Sequence, residues 1–323
     1  MAVLTQTDTL TALERVNRSS DNQDARRIIE CMRVTNEMLL DAPTMEANER
    51  TSNRTVQRTA LPTVTHRVYN AGVGNSASQT KPVNDVLCEV AGYSEVDVKL
   101  VREAANPEEF LNGEVASFIE AIGQQQAKDL IYGNHSADNA NMDGLAIRRN
   151  SIDAKYCINA GGTDTTSNTS LYIVKWGVNK AHLIYPKGSA SVGVSRQDMG
   201  EVTVDKGDGL KMQAYRNYFS ASYGLTLRDP KALVRIANIN PASMDGEELI
   251  KLILRAKHYL ATGDGTIAIY ANSDVLSLMD AATVDKSNVV YNAQDPWGND
   301  LIKIRDMRLR QVDAILSTED IVA

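Results

Sequence analysis

The chain has 323 residues, of which 43% are hydrophobic and 23% charged, a composition typical of globular proteins and long enough for two domains. Its formal net charge of −7 argues against nucleic-acid binding as its main source of affinity. The segment Met1–Thr11 shows no secretory signal, and no apolar run approaches the ~20 residues that a membrane helix needs. Three scattered cysteines, in no metal or redox spacing, indicate a reducing compartment: Cys31, Cys88 and Cys157.

Residues 1–50 are polar and only weakly helical. Apolar residues within Asp24–Leu40 predict a short amphipathic helix, which Ala42-Pro43 ends. Because so polar a segment buries too little apolar surface to fold alone, we expect an N-terminal arm that needs a partner surface.

The pattern of residues 51–103 predicts a long two-stranded β-hairpin. The segment Arg54–Tyr69 alternates polar and small apolar residues, turn-forming residues fill Asn70–Ser76, and a return strand is expected within Val83–Val101. An isolated hairpin is marginal in water, so we expect this one to lie on a neighbouring subunit.

Four basic residues of this hairpin are candidate contacts between subunits. A basic hairpin on an acidic chain suggests that they meet acidic patches of a neighbour, because complementary charge fixes register. A solvated strand face is the alternative explanation of the same four residues: Arg54, Arg58, Arg67 and Lys81.

The segment 107–132 predicts the strongest helix. Asn106 is the expected cap, Pro107 suits the first turn, and Glu108 and Glu109 favour the positive end of the helix dipole. One apolar stripe at helical spacing predicts its buried face: Leu111, Val115, Phe118, Ile119 and Ile122.

Strand signals dominate the next part of the chain and culminate in the stretch Gly200–Ile239. The glycines of Gly207-Asp208-Gly209 predict a turn, and Gly224 predicts a second reversal. The strands expected from alternation and from β-branched and aromatic residues are Leu171–Trp176, Ala181–Tyr185, Glu201–Asp205, Leu210–Tyr223, Leu225–Arg228 and Leu233–Ile239.

The last 83 residues, 241–323, change character. Helical and strand patterns alternate there, which is typical of a compact α/β unit, and we place a domain boundary near Asn240-Pro241. The expected elements are helices at Asp245–Leu260 and Ser273–Ala282 and strands at Thr266–Tyr270, Asp300–Ile304 and Arg308–Leu316.

The chain resembles the major capsid proteins of short-tailed bacteriophages, which build shells with the Hong Kong 97-type fold. The resemblance is carried by LYIVKWG at 171–177, IYPKG at 184–188, GEVTV at 200–204, YGLTLRDP at 223–230 and VRIANI at 234–239. It implies an α+β fold with an N-terminal arm (1–50), an extended hairpin loop (51–103), a peripheral domain with a spine helix (104–240, helix 107–132) and an α/β axial domain (241–323). In the usual order the axial domain interrupts the peripheral one, so this order predicts a permuted connectivity.

The resemblance also implies a function and partners. The expected function is a major head protein that self-assembles, as pentamers and hexamers, into an icosahedral shell around double-stranded DNA. Scaffolding, portal and decoration or cement proteins are the implied partners, with packaged DNA held only by weak non-specific contact and no membrane involved. The implied location is the virion capsid, assembled in the bacterial host cytoplasm. Lysine–asparagine links between subunits occur in this fold, but nothing around Lys81 indicates an activated amine, and we predict none.

No catalytic, cofactor or metal site is predicted. The four histidines are far apart, and the acidic Asp205–Gly209 and Gly263–Gly265 segments lack the remaining ligands of a calcium loop. No phosphate-binding loop or nucleophile elbow occurs. Two alternatives stay open: another phage structural protein, such as a decoration or tail component, and an α/β enzyme.

Overall fold

The computed structural model describes residues 38–104, 106–189, 194–205, 211–284, 293–294, 300–301 and 303–323. Six helices lie in these ranges: α1 Met38–Asp41, α2 Val98–Arg102, α3 Pro107–Tyr132, α4 Leu145–Arg148, α5 Gly246–Tyr259 and α6 Ser273–Val284. The first strands are β1 Thr44–Glu46, β2 Ser52–Ala60, β3 Gln79–Val86, β4 Cys88–Asp97, β5 Cys157–Asn159, β6 Thr169–Trp176 and β7 Ala181–Tyr185. The later strands are β8 Ser195–Asp205, β9 Lys211–Leu227, β10 Leu233–Ile239, β11 Thr266–Ala271, β12 Ala293–Gln294, β13 Asp300–Leu301, β14 Lys303–Ile304 and β15 Met307–Gln311.

The chain forms two compact units. One contains the described parts of 89–126 and 193–222, and the other contains the described parts of 35–88, 127–192 and 223–323. We call the first the helix–hairpin unit, after α3 and the antiparallel pair β8–β9. We call the second the sheet unit, and the β2–β3 hairpin belongs to it.

The centre of the sheet unit is strand β6, every residue of which is buried. It pairs antiparallel with both β10 and β11, and β11 continues into a parallel pair with β15. Strand β7 pairs with the end of β6, where Trp176 lies opposite Ala181. It also pairs antiparallel with the last part of β9 and parallel with β1. Strands buried on both faces read as continuous apolar runs, and LYIV at 171–174 is such a run.

Helices α5 and α6 cover one face of this sheet. Apolar positions at helical spacing place Leu249, Ile253 and Ala256 of α5 in the core, and Val275 and Met279 of α6 join them. They pack with sheet residues Leu171, Ile173, Val234, Ile236 and Ile269. Asp245 caps α5 by accepting a hydrogen bond from the Glu247 amide (3.2 Å).

In the helix–hairpin unit, α3 packs on strands β4 and β9. Phe118 of the helix stacks on Phe219 of β9 with ring centroids 5.1 Å apart. Gly92 lets β4 approach this pair, because a Cβ at that position would lie 3.3 Å from the Phe118 ring. Strand β8 pairs antiparallel with β9 from Ser195 to Asp205.

Helix α3 has the predicted bounds, 107–132, and its amides are capped as expected. The Asn106 side chain accepts a hydrogen bond from the Glu109 amide (3.5 Å), and its carbonyl accepts one from the Phe110 amide. The predicted apolar stripe is only partly buried: Ile122 is in the core, whereas Ile119 is exposed.

The predicted reversal at Gly224 is wrong. Strand β9 runs without a break from Lys211 to Leu227, and Gly224 pairs with Ile184 of β7. A Cβ at Gly224 would lie 3.0 Å from Ile184 Cγ1 and 3.1 Å from the Val86 carbonyl oxygen. The glycine is therefore explained by the close approach of Ile184 and Val86 to the position of its missing Cβ, and not by a turn.

The predicted return strand Val83–Val101 is divided. It forms β3, which ends at Val86, and β4, which ends at Asp97. Asp97 accepts a hydrogen bond from the Lys99 amide (2.8 Å) and caps the short helix α2. Alternation across Val96, Val98 and Leu100 is equally compatible with a strand end followed by one helical turn, so periodicity alone could not place the boundary.

Strands β11, β14 and β15, which follow residue 240, join the same sheet as strands before it, because β11 pairs with β6. The two compact units therefore do not follow the predicted bounds 104–240 and 241–323. The names arm, extended loop, peripheral domain and axial domain, and the permuted order, stay predictions. The predicted turn Gly207–Gly209, the helix segment 24–37 and most of the arm lie outside the described residues.

Candidate assembly surfaces

The hairpin formed by β2 and β3 projects from a polar root on the sheet unit. At the root, the Asn53 side-chain amide donates to Thr226 Oγ1 (3.1 Å) and the Gln57 amide donates to the Leu227 carbonyl (2.9 Å). Both acceptors belong to the end of β9. Residues facing β9 thus alternate with residues facing away, as the pleat of β2 requires.

A buried ion pair completes the root. Arg148 Nη2 lies 2.8 Å from Asp85 Oδ1 and also donates to the Leu225 carbonyl (2.8 Å). Asp85 is paired with Asn53 across the hairpin and is almost fully buried. The guanidinium therefore joins β3 to β9 through hydrogen bonds to a charged group, which are the stronger kind.

The four predicted contact residues do not share one face. In register, Arg54 lies opposite Asn84 and Arg58 opposite Thr80, whereas Lys81 lies opposite Gln57. Directly opposed residues point to the same side of an antiparallel pair, so Arg54 and Arg58 share one face and Lys81 lies on the other. All three are exposed.

Arg67 lies beyond the paired strands, next to the tip turn Val68–Ala71. Its Nε donates to the Ala71 carbonyl (2.9 Å), and the Ala71 amide donates to the Val68 carbonyl (3.1 Å). Asn70 has φ of 64°, a conformation that asparagine tolerates better than most residues. The arginine thus braces its own turn.

The outer half of the hairpin is rich in exposed apolar side chains. Tyr69 is 98% exposed and Val64 89% exposed. Four others with large exposed fractions lie on the same hairpin: Val56, Leu61, Val68 and Val73. Because large exposed apolar patches mark interaction sites, these residues make the outer half of the hairpin a candidate for one.

A second junction holds the segment that precedes the hairpin. Asp41, at the end of α1, is 1% exposed and accepts hydrogen bonds from Arg308 (3.1 Å) and Arg310 (2.9 Å). Tyr270, whose hydroxyl accepts from Trp176 Nε1 (2.6 Å), lies 3.4 Å from the same carboxylate. Burial raises the pKa of the Tyr270 hydroxyl well above its ordinary value, and the neighbouring Asp41 charge adds to this shift.

A buried ion pair also lies in the sheet unit beside a cavity of about 390 Å³. Arg235 Nη2 lies 2.9 Å from Glu319 Oε2, and Tyr132 donates its hydroxyl hydrogen to Glu319 Oε1 (2.5 Å). Burial, followed by the Glu319 charge, raises the pKa of Tyr132. Arg235 also donates to the Arg149 carbonyl (3.0 Å), so the pair is well supplied with hydrogen bonds.

His182 is the buried histidine of β7. It is 0% exposed, and neither ring nitrogen has a hydrogen-bond partner. Burial, helped by the charge of Arg228, lowers its pKa to about 4, so the imidazole is neutral at physiological pH. It lies opposite Thr226, the residue that receives the Asn53 hydrogen bond from the hairpin root.

The helix–hairpin unit has an aromatic surface of its own. Tyr93 and Tyr218 have ring centroids 4.8 Å apart, and the Arg216 guanidinium lies 5.4 Å from the Tyr93 centroid. Glu95 pairs with Arg216 at 2.5 Å. A further ion pair, Arg102 and Glu201 at 3.2 Å, is exposed to solvent and therefore contributes little to the stability of the fold.

Sequence reasoning missed Asp41, Asp85 and Glu319 as organising carboxylates. Each meets an arginine that is remote along the chain, and no local motif signals such a pair. The available signal was weak: an isolated Asp or Glu beside apolar residues.

Among the residues that the structure describes, no group of three or more His, Cys, Asp or Glu side chains is placed to hold a metal ion. None of the described helices combines the length and the apolar character needed to cross a membrane.

Comparisons with known proteins identify the family. The model for "Major capsid protein GP7" matches residues 20–323. A comparison with curated proteins finds no match.

Among solved structures, a chain of bacteriophage Epsilon15 is 26% identical, with a TM-score of 0.73, and the similarity covers 100% of this chain and 99% of that one. The capsid of bacteriophage JBD30 is 10% identical, with a TM-score of 0.49 over 95% of this chain and 99% of that one. The SrpI encapsulin of Synechococcus elongatus is 11% identical, with a TM-score of 0.48 over 72% of this chain and 96% of that one.

The family match spans far more than half of the chain, and the Epsilon15 similarity extends over its whole length. The mixed helix-and-sheet architecture is accordingly that of a phage capsid protein, as the sequence resemblance predicted. The chain therefore belongs to the major capsid protein GP7 family and forms the capsid shell of a bacteriophage virion.

Proposed function

We propose that the chain builds its shell by laying the β2–β3 hairpin across a neighbouring copy. The observation that carries this proposal is the exposure of the hairpin: from Arg58 to Pro82 every residue is exposed. Two antiparallel strands without a third strand or a helix against them are marginal in water. The hairpin therefore gains most of its order from a second copy.

The root determines the direction in which the hairpin leaves the subunit. The pair Asp85–Arg148 is buried, and Asn53 and Gln57 fix the same face of β2 to β9. Since these contacts orient the strands, the outward face with Arg54 and Arg58 meets the neighbour in one register. Complementary charge on an acidic neighbour then favours the correct register over wrong ones.

The test is charge reversal on that face. We expect the double variant Arg54→Glu/Arg58→Glu to stay folded and soluble but to form at most about one tenth as many closed shells, because like charges across an interface are strongly unfavourable. Electron microscopy and sedimentation of the expressed full chain measure shell yield. Lys128→Glu/Lys155→Glu, which makes the same change in net charge at two exposed lysines elsewhere, is the matched control.

Shells of ordinary yield and shape from the Arg54→Glu/Arg58→Glu variant would contradict the proposal. Equal loss in both double variants would show that net charge, and not the hairpin face, controls assembly.

Other features of the virion role are proposed on the same basis. Copies form pentamers and hexamers in an icosahedral shell, in the bacterial host cytoplasm, with scaffolding, portal and decoration or cement proteins as partners. The role is structural and not enzymatic, in accord with the family and its fold. A net charge of −7 suits a lining that does not grip DNA, so salt-sensitive DNA binding by the purified subunit would count against this part.

A further inference from the structure

We propose that the tip turn Val68–Ala71 is an apolar anchor and that Tyr69 inserts into an apolar recess on a second copy of the chain. This inference rests on the proposed function, since it assigns the decisive contact within the hairpin interface. It moves that contact from the basic strand face to the tip.

The first argument is the distribution of exposed apolar residues. Six large apolar side chains exposed to solvent lie between positions 56 and 73, and Tyr69 at the outermost turn is the most exposed of them. Charged residues are sparse there, with Arg58 and Arg67 as the only ones between 55 and 80. A hairpin that contacted its neighbour only through charged side chains would not concentrate apolar surface at its far end.

The second argument is that the tip is already shaped. The Ala71 amide donates to the Val68 carbonyl, and Arg67 Nε donates to the Ala71 carbonyl. Behind the turn, the Thr63 amide donates to Ser76 Oγ (2.6 Å) and joins the two sides of the loop. A turn fixed before binding loses less conformational entropy when it docks.

The third argument is the chemistry of tyrosine. Its side chain has two rotatable bonds and a large, rigid surface, and tyrosine is enriched among residues that dominate binding energy. The recess belongs to a second copy, because the chain assembles with copies of itself and Tyr69 is exposed on its own subunit. If fully extended, the segment from Ser52 to Tyr69 would reach at most roughly 55 Å at ~3.3 Å per residue, which is far enough to cross onto a neighbour.

Arg67 is then a positioning residue. Its guanidinium holds the turn through the Ala71 carbonyl, so its role depends on an N–H donor and not on its charge. Arg67→Gln, which keeps an N–H donor, is expected to form shells at close to wild-type yield, whereas Arg67→Ala is expected to lose at least threefold. Equal loss in both variants would assign Arg67 to an ion pair and contradict this role.

The main experiment compares three full-length variants for the fraction of protein that sediments as shells. We expect Tyr69→Ala to lower that fraction at least tenfold and Tyr69→Phe to stay within threefold of wild type. Val178→Ser, which changes another exposed apolar side chain of the sheet unit, is the matched control and is expected to behave as wild type. Because the Tyr69 side chain makes no buried contact within its own subunit, circular dichroism of all variants is expected to be unchanged.

A second measurement locates the contact directly. A photoreactive phenylalanine analogue at position 69 is expected to form covalent dimers on illumination of assembled shells, and the same group at position 178 is expected to form none. Dimers absent at position 69 would overturn the anchor.

The outcomes separate this inference from the proposed function. If Tyr69→Ala forms shells normally while Arg54→Glu/Arg58→Glu does not, the hairpin docks through its charged face and the anchor is wrong. If both form shells normally, the hairpin is not an assembly contact and both proposals fail.

Discussion

The β2–β3 hairpin and the β6–β10–β11 strands are both antiparallel pairings of one chain, yet they are stabilised in opposite ways. Every residue of β6 and β10 is buried, whereas the hairpin buries side chains only at its root. The sheet carries its own hydrophobic stabilisation, at roughly 25 cal/mol per Å² of apolar surface buried. The hairpin has almost none, so its order depends on polar contacts at one end and on a neighbour along its length.

The test with the largest expected effect on stability removes a buried charge from the sheet unit. We expect Arg235→Met to lower the free energy of unfolding by about 3–5 kcal/mol, because the buried Glu319 carboxylate loses its cationic partner. The double variant Arg235→Met/Glu319→Leu is expected to recover much of that loss, since neither charge is then buried. Chemical denaturation measures all three proteins, and an equal loss in the single and double variants would show that packing and not charge is responsible.

The second test applies the same kind of change to both regions. Ile236→Ala in β10 is expected to cost about 2–5 kcal/mol of unfolding free energy, because it removes buried methyl groups and leaves a cavity. Val64→Ala in the hairpin is expected to change it by less than about 0.5 kcal/mol, since that side chain is exposed.

Denaturation of the unassembled subunit makes this second measurement. A large loss from Val64→Ala would mean that the hairpin already packs on its own subunit, and the contrast between the two regions would disappear.

The third test concerns His182, on the strand beneath the hairpin root. Its folded-state pKa of about 4 lies below the ordinary 6.5, so the folded state binds fewer protons than the unfolded state between these values. The stabilising contribution is present above pH 6.5 and is lost as the pH falls toward 4. The loss is at most about 3.5 kcal/mol at ~1.4 kcal/mol per pH unit.

His182→Leu, which has no titrating group, provides the reference for that test. The difference in unfolding free energy between wild type and variant is expected to shift against wild type as the pH falls from 6.5 to 4. A difference that stays constant over this range would show that His182 does not remain neutral in the folded protein.

The sequence was most informative where the determinants are local. Asn106 and Pro107 mark the start of α3 by capping chemistry, and the helix has the predicted bounds. Asp245 does the same for α5. The apolar runs of β6 and β10 likewise identify buried strands, because each residue in them avoids water independently of its partner.

Other features depend on pairings that no local pattern encodes. Gly224 could be explained only once Ile184 and Val86 were known to lie against the position where a Cβ would be. The division of the basic hairpin residues between two faces follows from the register of Gln57 with Lys81. That register depends on the length of the tip loop, and the turn signals between 61 and 78 leave several lengths open.

The junction at Asp41 has a mechanical consequence. Two guanidinium groups from the final strand, Arg308 and Arg310, hold the one carboxylate that ends α1, a few residues before β1 and the hairpin. We expect tension on the polypeptide upstream of that carboxylate to load the ion pairs to Arg308 and Arg310, and through them the parallel β11–β15 ladder, before it reaches β2. The hairpin would then keep its position on the subunit when that segment is pulled.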